Sequence, residues 1–542
     1  MMNRWNIRFF PLLLLLTLIF PFIAFSQSYN VPVDHPSYDF IERMETKGVL
    51  KKVFDETRPL SRGDMATIIL HVINAADSGD QRITRVDEDE LEWLKREFWN
   101  ELKNLGIDPG VQEERHTYKW EDKENHLIGD ALFFQRAIFK HAQGRTDRFL
   151  ETAGGGKVRG GLKDQLFFSV EFRQTQVNSN KDDLSKEDIG HKGYFSRRGD
   201  YGYYDVTNAS GLLKFPWFEF EIGKEALSWG PGVQGNLSLS TNVPPFDFLS
   251  FRTRYGAFQY THVTGFLKTD VVDSLMSYRT PDGFERENFS NKYIACHRLE
   301  ITLPWSIDIG VNEAVIYGER GLDIAYLNPF MFFWSAQHHW GDRDNETMGV
   351  DIEIHALDGY SFYGALFVDE LYLKGFFNGD SRNKIGFQLG TFAVDPFSIE
   401  NLDLRIEYAK VMPAVYSHKF PINTYVHYDE VIGHWLGENG DDLYFEGRYR
   451  TSKELQFQLF GGRTRSGEPA VQPAAHFDPN KFPFLYGTVE RTDYFGCRIS
   501  YEPIHKIRFV FDYTYRDIEN KGHNSGVDQV ENEFVLRLNF DY

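Results

Sequence analysis

The sequence predicts a transmembrane antiparallel β-barrel of about 18 strands with a small N-terminal periplasmic helical bundle. Three observations predict it: an export signal at the start, period-two alternation through the last three quarters of the chain, and connections that alternate between very short and long.

The export signal comes first. Arg4 and Arg8 precede an apolar run from Phe9 to Phe25, the pattern of a secretory signal peptide. Ala24-Phe25-Ser26 sets small residues at the usual cleavage spacing. Residues 1–26 are therefore expected to be removed, leaving a mature protein that starts near Gln27. No later segment reaches the roughly 18 uninterrupted apolar residues of a membrane helix. Yet 16% of the chain is aromatic, with 48 Phe and 28 Tyr, while the mean hydropathy is -0.44. Large apolar side chains interleaved with polar ones suit a barrel, because only alternate residues face lipid.

Residues 27–128 are expected to form a helical region. Ser61 with Asp64 three residues later makes a capping signal, and Met65, Ile68, Ile69, Val72 and Ile73 follow at helical spacing. From Asp87 a second stripe carries Leu91, Leu94, Phe98, Leu102 and Leu105. With Tyr38, Ile41 and Met44 these make a three-helix unit expected to pack in the periplasm below the barrel, as a plug or, as a faint likeness to a surface-layer homology repeat would imply, in contact with the cell wall.

The barrel is expected over residues 129–542. Phe218, Phe220 and Ile222 alternate with Glu219, Glu221 and Gly223; Leu402, Leu404, Ile406 and Tyr408 alternate with Asp403, Arg405 and Glu407. The chain ends on Phe534, Leu536, Leu538, Phe540 and Tyr542 against Val535, Arg537, Asn539 and Asp541. Each reads as a strand with one lipid face and one lumen face. Short links at Phe215-Pro216, Pro304, Asp358-Gly359, Ser452-Lys453 and Pro503-Ile504 alternate with long polar ones near 175–203, 268–292, 318–346, 412–442, 465–490 and 517–532. Short periplasmic turns and long external loops give that rhythm.

Charge narrows the partners. The net charge is -20, and losing Arg4 and Arg8 makes it -22, which argues against a nucleic-acid ligand. The lumen face carries Arg298, Arg405, Arg498, Arg508 and Arg537 beside Glu219, Glu221, Glu300, Asp403, Glu407 and Asp512, a mixed lining without a one-signed filter. Cys296 falls on the lumen face and Cys497 on the lipid face, so the two are not expected to bond.

Several segments resemble the capsule-assembly Wzi family of outer-membrane proteins. They are Tyr38-Asp39-Phe40-Ile41-Glu42-Arg43-Met44 leading to Arg58-Pro59-Leu60-Ser61-Arg62, Gly223-Lys224 leading to Trp229-Gly230-Pro231-Gly232, His297-Arg298-Leu299-Glu300, Tyr326-Leu327-Asn328-Pro329, and Asp344-Asn345 before Gly349. The resemblance implies an 18-stranded barrel with a helical periplasmic bundle and a lectin-like role in capsule assembly. Surface or capsular polysaccharide, outer-membrane lipid and the assembly machinery are then the expected partners of a monomer in a Gram-negative outer membrane.

A glycan site needs flat aromatic faces for pyranose C–H surfaces and amides or carboxylates for hydroxyls. Residue chemistry selects Trp229, Trp334, Trp340, Asp342, Asp344, Asn345, Trp435, Asn439 and Asp441. For Trp340 and Trp435 the interfacial aromatic belt of barrels is an equal reading. The connection from Trp229 to about Pro245 is rich in Gly, Ser, Asn and Pro; it is expected either to fold into the barrel as a constriction or to form a simple loop. No HExxH, GxSxG or P-loop motif occurs, and no cofactor or metal is expected. The leading expectation is a non-enzymatic polysaccharide-organising barrel; a porin or substrate-specific channel and a surface hydrolase are the alternatives.

Overall fold

The structure is a computed structural model that describes residues 29–541 apart from 52, 123, 164, 340, 342, 371–382 and 470–481. The expected signal peptide and its cleavage near Gln27, together with Trp340, Asp342 and Tyr542, lie outside the described residues.

Eighteen antiparallel strands close into a barrel among the described residues. They are β1 Asn125–Ala142, β2 Arg145–Leu162, β3 Leu166–Ser179, β4 Tyr201–Lys214, β5 Phe218–Glu225, β6 Phe246–Tyr255, β7 Phe258–Leu267, β8 Lys292–Leu303 and β9 Ile307–Gly318. The second half runs β10 Asn345–Leu357, β11 Tyr360–Glu370, β12 Lys384–Val394, β13 Leu402–Val411, β14 Gly440–Arg450, β15 Leu455–Ser466, β16 Glu490–Ile504, β17 Ile507–Glu519 and β18 Gln529–Asp541. Each pairs with its neighbour in sequence, and β18 closes on β1 with Phe534 opposite Phe139 and Arg537 opposite Arg136. Strand structure starts earlier than 129, because β1 begins at Asn125 and the short strand Tyr118–Glu121 pairs beside it.

Burial along the wall is inverted relative to a water-soluble fold. On β13 the apolar Ile406 is 53% exposed while Asp403, Arg405 and Glu407 are buried. On β18 Phe534 and Leu536 stand outward, and the adjacent Arg537 turns into the lumen to pair with Asp512, which also takes Arg498. Only lipid makes outward apolar and inward charged residues the favourable arrangement. Cys296 is buried on the lumen side and Cys497 is half-buried on the outer side, and both are free thiols.

The helical segment comprises α1 Pro36–Thr46, α2 Arg62–Asp77, α3 Arg85–Glu97 and α4 Trp99–Asn104. Ser61 caps α2 by accepting from Asp64 N at 3.1 Å, and Thr84 with Asp87 forms a reciprocal capping box on α3. Met65, Ile69, Val72, Leu91, Leu94, Phe98 and Leu102 make its core. The stripe expected as one helix from Asp87 to Leu105 is broken at Phe98. There Arg62 donates to the Glu97 carbonyl, which a continuous helix would offer to Glu101 N–H, and stacks on the Phe98 ring.

This unit docks at the short-turn end, against lumen-facing wall residues. Arg43 binds Asp87 of α3 at 2.8 Å, Asp395 of the β12–β13 turn at 2.8 Å, and Asp403 of β13. Arg405 meets Glu42 at 2.8 Å and Asn30 donates to Glu221 at 2.7 Å.

The α1–α2 connection then reaches into the lumen with an acidic face. Burial pushes Asp55 up to about 6, with Glu353 adding to the effect; burial and then Asp55 and Asp308 push Glu45 and Glu56 well above the carboxylate range. These three acids take up protons on docking, so their contribution to docking is fully present in acid and is lost as pH rises through about 6 and beyond. Limited proteolysis of the folded protein is expected to release the helical unit more readily at pH 8 than at pH 5, roughly neutral and acidic sides of that window; equal protection at both would contradict it.

Candidate functional site: a lumen closed by two infolded loops

Two long connections turn inward. The β5–β6 connection, residues 226–245, and the β13–β14 connection, residues 412–439, meet inside the barrel. Ser240 N donates to Ile432 O at 2.9 Å, Tyr416 Oη to Leu237 O at 2.7 Å, and Tyr425 Oη to Ser238 O at 2.8 Å. Trp229, Leu237, Leu239, Tyr416, Tyr425 and Ile432 pack with wall residues such as Phe248, Ile294 and Phe367 into one apolar core within the lumen.

The wall holds this lid through polar groups at mid-strand. Glu407 accepts Val233 N at 2.8 Å and Gln234 N at 3.0 Å, and also the Tyr363 hydroxyl at 2.8 Å. Gln388 Nε2 donates to Gly235 O at 2.9 Å. The close approach explains the glycines: a Cβ on Gly232 would lie 2.3 Å from Gly235 O and 2.5 Å from Gln388, and Gly230 and Gly235 have φ of +119° and +148°.

The lid also joins the helical unit. Thr57-Arg58 and Ser228-Trp229 form a two-stranded antiparallel sheet, and Gly230 N donates to Glu56 O at 2.8 Å. Thr57 Oγ1 accepts from Arg298 Nε at 3.0 Å, while Arg298 forks onto Asp351. External loop, wall and N-terminal unit are thus one hydrogen-bonded body over the β5–β13 side.

The other side keeps a cavity of about 690 Å³. Its lining includes Pro32 and Asp34 from the N-terminal segment and Arg136, Glu171, Arg173 and Arg537 from β1, β3 and β18.

The selected glycan residues fall into separate places. Trp229 is 3% exposed within the lumen core and presents no face to solvent. Asp344 accepts both Arg320 guanidinium nitrogens at 2.9 and 2.7 Å and the Tyr326 hydroxyl at 2.7 Å. Buried Asn345 donates to Asn423 O at 2.9 Å. Asn439 clasps the β15–β16 connection, donating to Glu468 O at 2.8 Å and accepting from Leu485 N at 2.7 Å. Asp441 takes Arg465 and the Tyr408 hydroxyl. Each of these polar groups already has protein partners that hold loops and strand ends. Trp334 stands outside the wall, half-exposed, and Trp435 is 41% exposed on the lid. The sequence did not single out Glu407 and Gln388 as lid anchors, since Glu407 reads as an ordinary lumen position, nor Tyr416 and Tyr425; the tyrosines within the 412–442 connection were the available signal.

For metal, Glu97, Glu114 and His505 bring ligand atoms within 4.8 Å of one another. Lys506 Nζ at 3.1 Å and Arg62 Nη1 at 2.5 Å from Glu97 already supply positive charge there, so the group is accounted for as an ion-pair cluster.

A wall that turns its apolar side chains outward, with its own chain folded through the lumen, is an outer-membrane β-barrel of the occluded kind. The chain belongs to the capsule assembly protein Wzi family, whose pattern matches residues 140–530. Among solved structures it is similar to Wzi of Escherichia coli, described as an outer-membrane protein involved in group 1 capsule assembly and a carbohydrate-binding β-barrel. That likeness has 13% identity and a TM-score of 0.57, covering 94% of this chain and 98% of the other. OprD of Pseudomonas aeruginosa, at 9% identity and TM-score 0.40, covers 77% of this chain and 94% of its own. OccAB2 of Acinetobacter baumannii, at 11% and 0.43, covers 76% and 98%. No curated protein sequence matches the chain.

Proposed function

We propose that this protein binds surface polysaccharide at its long-loop end during capsule assembly, without catalysing a reaction on it. The lid carries the reading: external loops that fold inward and are stitched to the wall and to the helical unit make a fixed surface rather than a passage. Family membership and the carbohydrate binding named for the Escherichia coli protein support the ligand class. The long loops then face the outside, and the helical unit faces the periplasm after cleavage near Gln27.

Trp435 is the proposed stacking face. Its ring borders Gly235 of the partner loop and lies 5.7 Å from the His434 ring, so it is presented on a backed platform. Trp435→Ala is expected to weaken polysaccharide retention about two- to tenfold, the effect of losing one aromatic contact. Barrel assembly should be unchanged, because the wall is held by strand pairing. Retention equal to the parent in a correctly assembled variant would rule out this residue as the platform.

The cavity beside β1, β3 and β18 favours one alternative, a channel along that side. Planar-bilayer conductance distinguishes the two: the binding reading expects a protein that is nearly closed at rest.

A further inference from the structure

The outer face of the wall carries polar groups where lipid is expected. On β7–β10 the outward positions include His262, Thr264, His297, Glu313 and Glu346, and the first two and Glu313 are buried. They are buried from outside, because the connection from β9 to β10 folds back over them.

The covering is specific. Glu313 accepts Phe333 N at 2.9 Å and Trp334 N at 2.7 Å, and lies 3.0 Å from His297 Nε2. Phe333 stacks on His297 with centroids 4.4 Å apart, and the Tyr260 hydroxyl donates to Pro329 O. Phe333, Tyr326 and Ala336 complete an apolar core with the outward-facing Tyr293, Ala295, Val315 and Tyr317. The arrangement places Glu313, His297 and His262 behind a second layer.

That second layer is itself apolar outside. Ile324 is 82% exposed, Phe330 82%, Phe332 52% and Trp334 49%. Directly below on the same face stand Leu299, Val311, Val350 and Ile352, all exposed members of the lipid-facing band. The surface of the folded-back segment is thus continuous with an established membrane contact.

We propose that residues 319–339 form an in-plane membrane anchor, with Ile324, Phe330, Phe332 and Trp334 among the acyl chains of the outer leaflet. Aromatic and aliphatic side chains on a short amphipathic segment suit the boundary between headgroups and acyl chains. Glu313, His297 and His262 could not face that region alone without the cost of an unpaired polar group in hydrocarbon. The segment supplies two backbone hydrogen bonds to Glu313, the Phe333 ring over His297 and His262, and the greasy exterior they lack. The anchor differs from the aromatic belt of a plain barrel wall, since it is a loop laid sideways over the strands. It does not depend on polysaccharide binding.

Site-directed fluorescence in lipid nanodiscs tests it. In a Cys497→Ser background, Phe332→Cys and, as a second site, Phe330→Cys are labelled with bimane, and Leu275→Cys on the long β7–β8 connection, where Leu275 is 94% exposed, is the aqueous control. Loss of fluorescence with lipids brominated on their acyl chains, protection from iodide, and blue-shifted emission at 332 and 330 are expected, with the reverse at 275. Iodide quenching at 332 and 330 equal to that at 275 would overturn the anchor, leaving an aqueous surface open to glycan. Protection from both quenchers would overturn it too, in favour of contact with a second copy of the chain.

Discussion

Leu536→Arg is expected to abolish most barrel assembly, whereas changes to the charge at the next residue should be tolerated far better. Leu536 is 50% exposed on the outer face of β18, opposite Phe511 of β17 and Ala137 of β1. An arginine on the lipid face near mid-depth costs about 2–4 kcal/mol. The cost falls on the strand that closes the wall, where Phe534 and Phe509 make the surrounding surface apolar. Arg537, one residue on, carries the same charge into the lumen and finds Asp512. Arg537→Leu removes that partner, but Arg498 still holds Asp512, so the residual acid is not left unpaired. Facing decides the outcome rather than charge. Heat-modifiable mobility on gels measures it: the Leu536→Arg protein should run almost wholly as the unfolded form, and a parental level of the folded band would refute the lipid-facing assignment.

The same facing rule explains what could be read from the sequence. Alternation such as Leu402 to Tyr408, with acids and Arg405 between, fixes each wall strand locally, because period two and a greasy face determine both conformation and orientation. The rhythm of short and long connections set the strand count. The helical unit was legible for a similar reason, since Ser61, Asp64 and the Met65–Ile73 stripe are local signals. The break at Phe98 was not, because it depends on Arg62, which lies 36 positions away in sequence, reaching the Glu97 carbonyl.

Site chemistry was less legible than the fold. Trp and acid in one loop describe a sugar platform and a loop clasp equally well. Asp344 becomes a clasp because Arg320 and Tyr326 are near it, and Asn439 because the β15–β16 connection passes over it. Glu407 is the converse case. Its spacing assigned it to the lumen, but only the fold of residues 226–245 supplies the two backbone N–H groups that turn it into an anchor. Likewise the outward-facing Glu313 contradicts a lipid face until the β9–β10 connection is seen to cover it.

Arg43→Ala is expected to loosen the helical unit and to raise the conductance of the barrel. Arg43 is 0% exposed and serves three carboxylates at once: Asp87 within the unit, and Asp395 and Asp403 on the wall. Removing the cation from a buried pair costs about 3–5 kcal/mol, because the acids left behind are uncompensated. Lys47 still reaches Asp87 and Asp395, and Arg450 still reaches Asp403, which limits the loss but leaves the unit without the one group that spans α3 and both wall acids. Arg448 to Asp39 is a partly exposed contact of the kind worth about 0–1 kcal/mol, so it does not replace Arg43. The passage would form beside the lid, where Pro32, Asp34 and Pro59 of the N-terminal segment line the cavity bounded by β1, β3, β4, β18 and lid residues Ala226, Thr241 and Pro245. Displacing that segment extends the cavity to the short-turn end. Single-channel recordings should show frequent open events in Arg43→Ala, fewer in Arg43→Lys, which keeps a charge but not the fork, and rare ones in the parent. Protease release of the unit should follow the same order. If Arg43→Ala stays as closed and as protected as the parent, the unit is held by the Thr57-Arg58 pairing with the lid rather than by this cluster, and closure belongs to the lid alone.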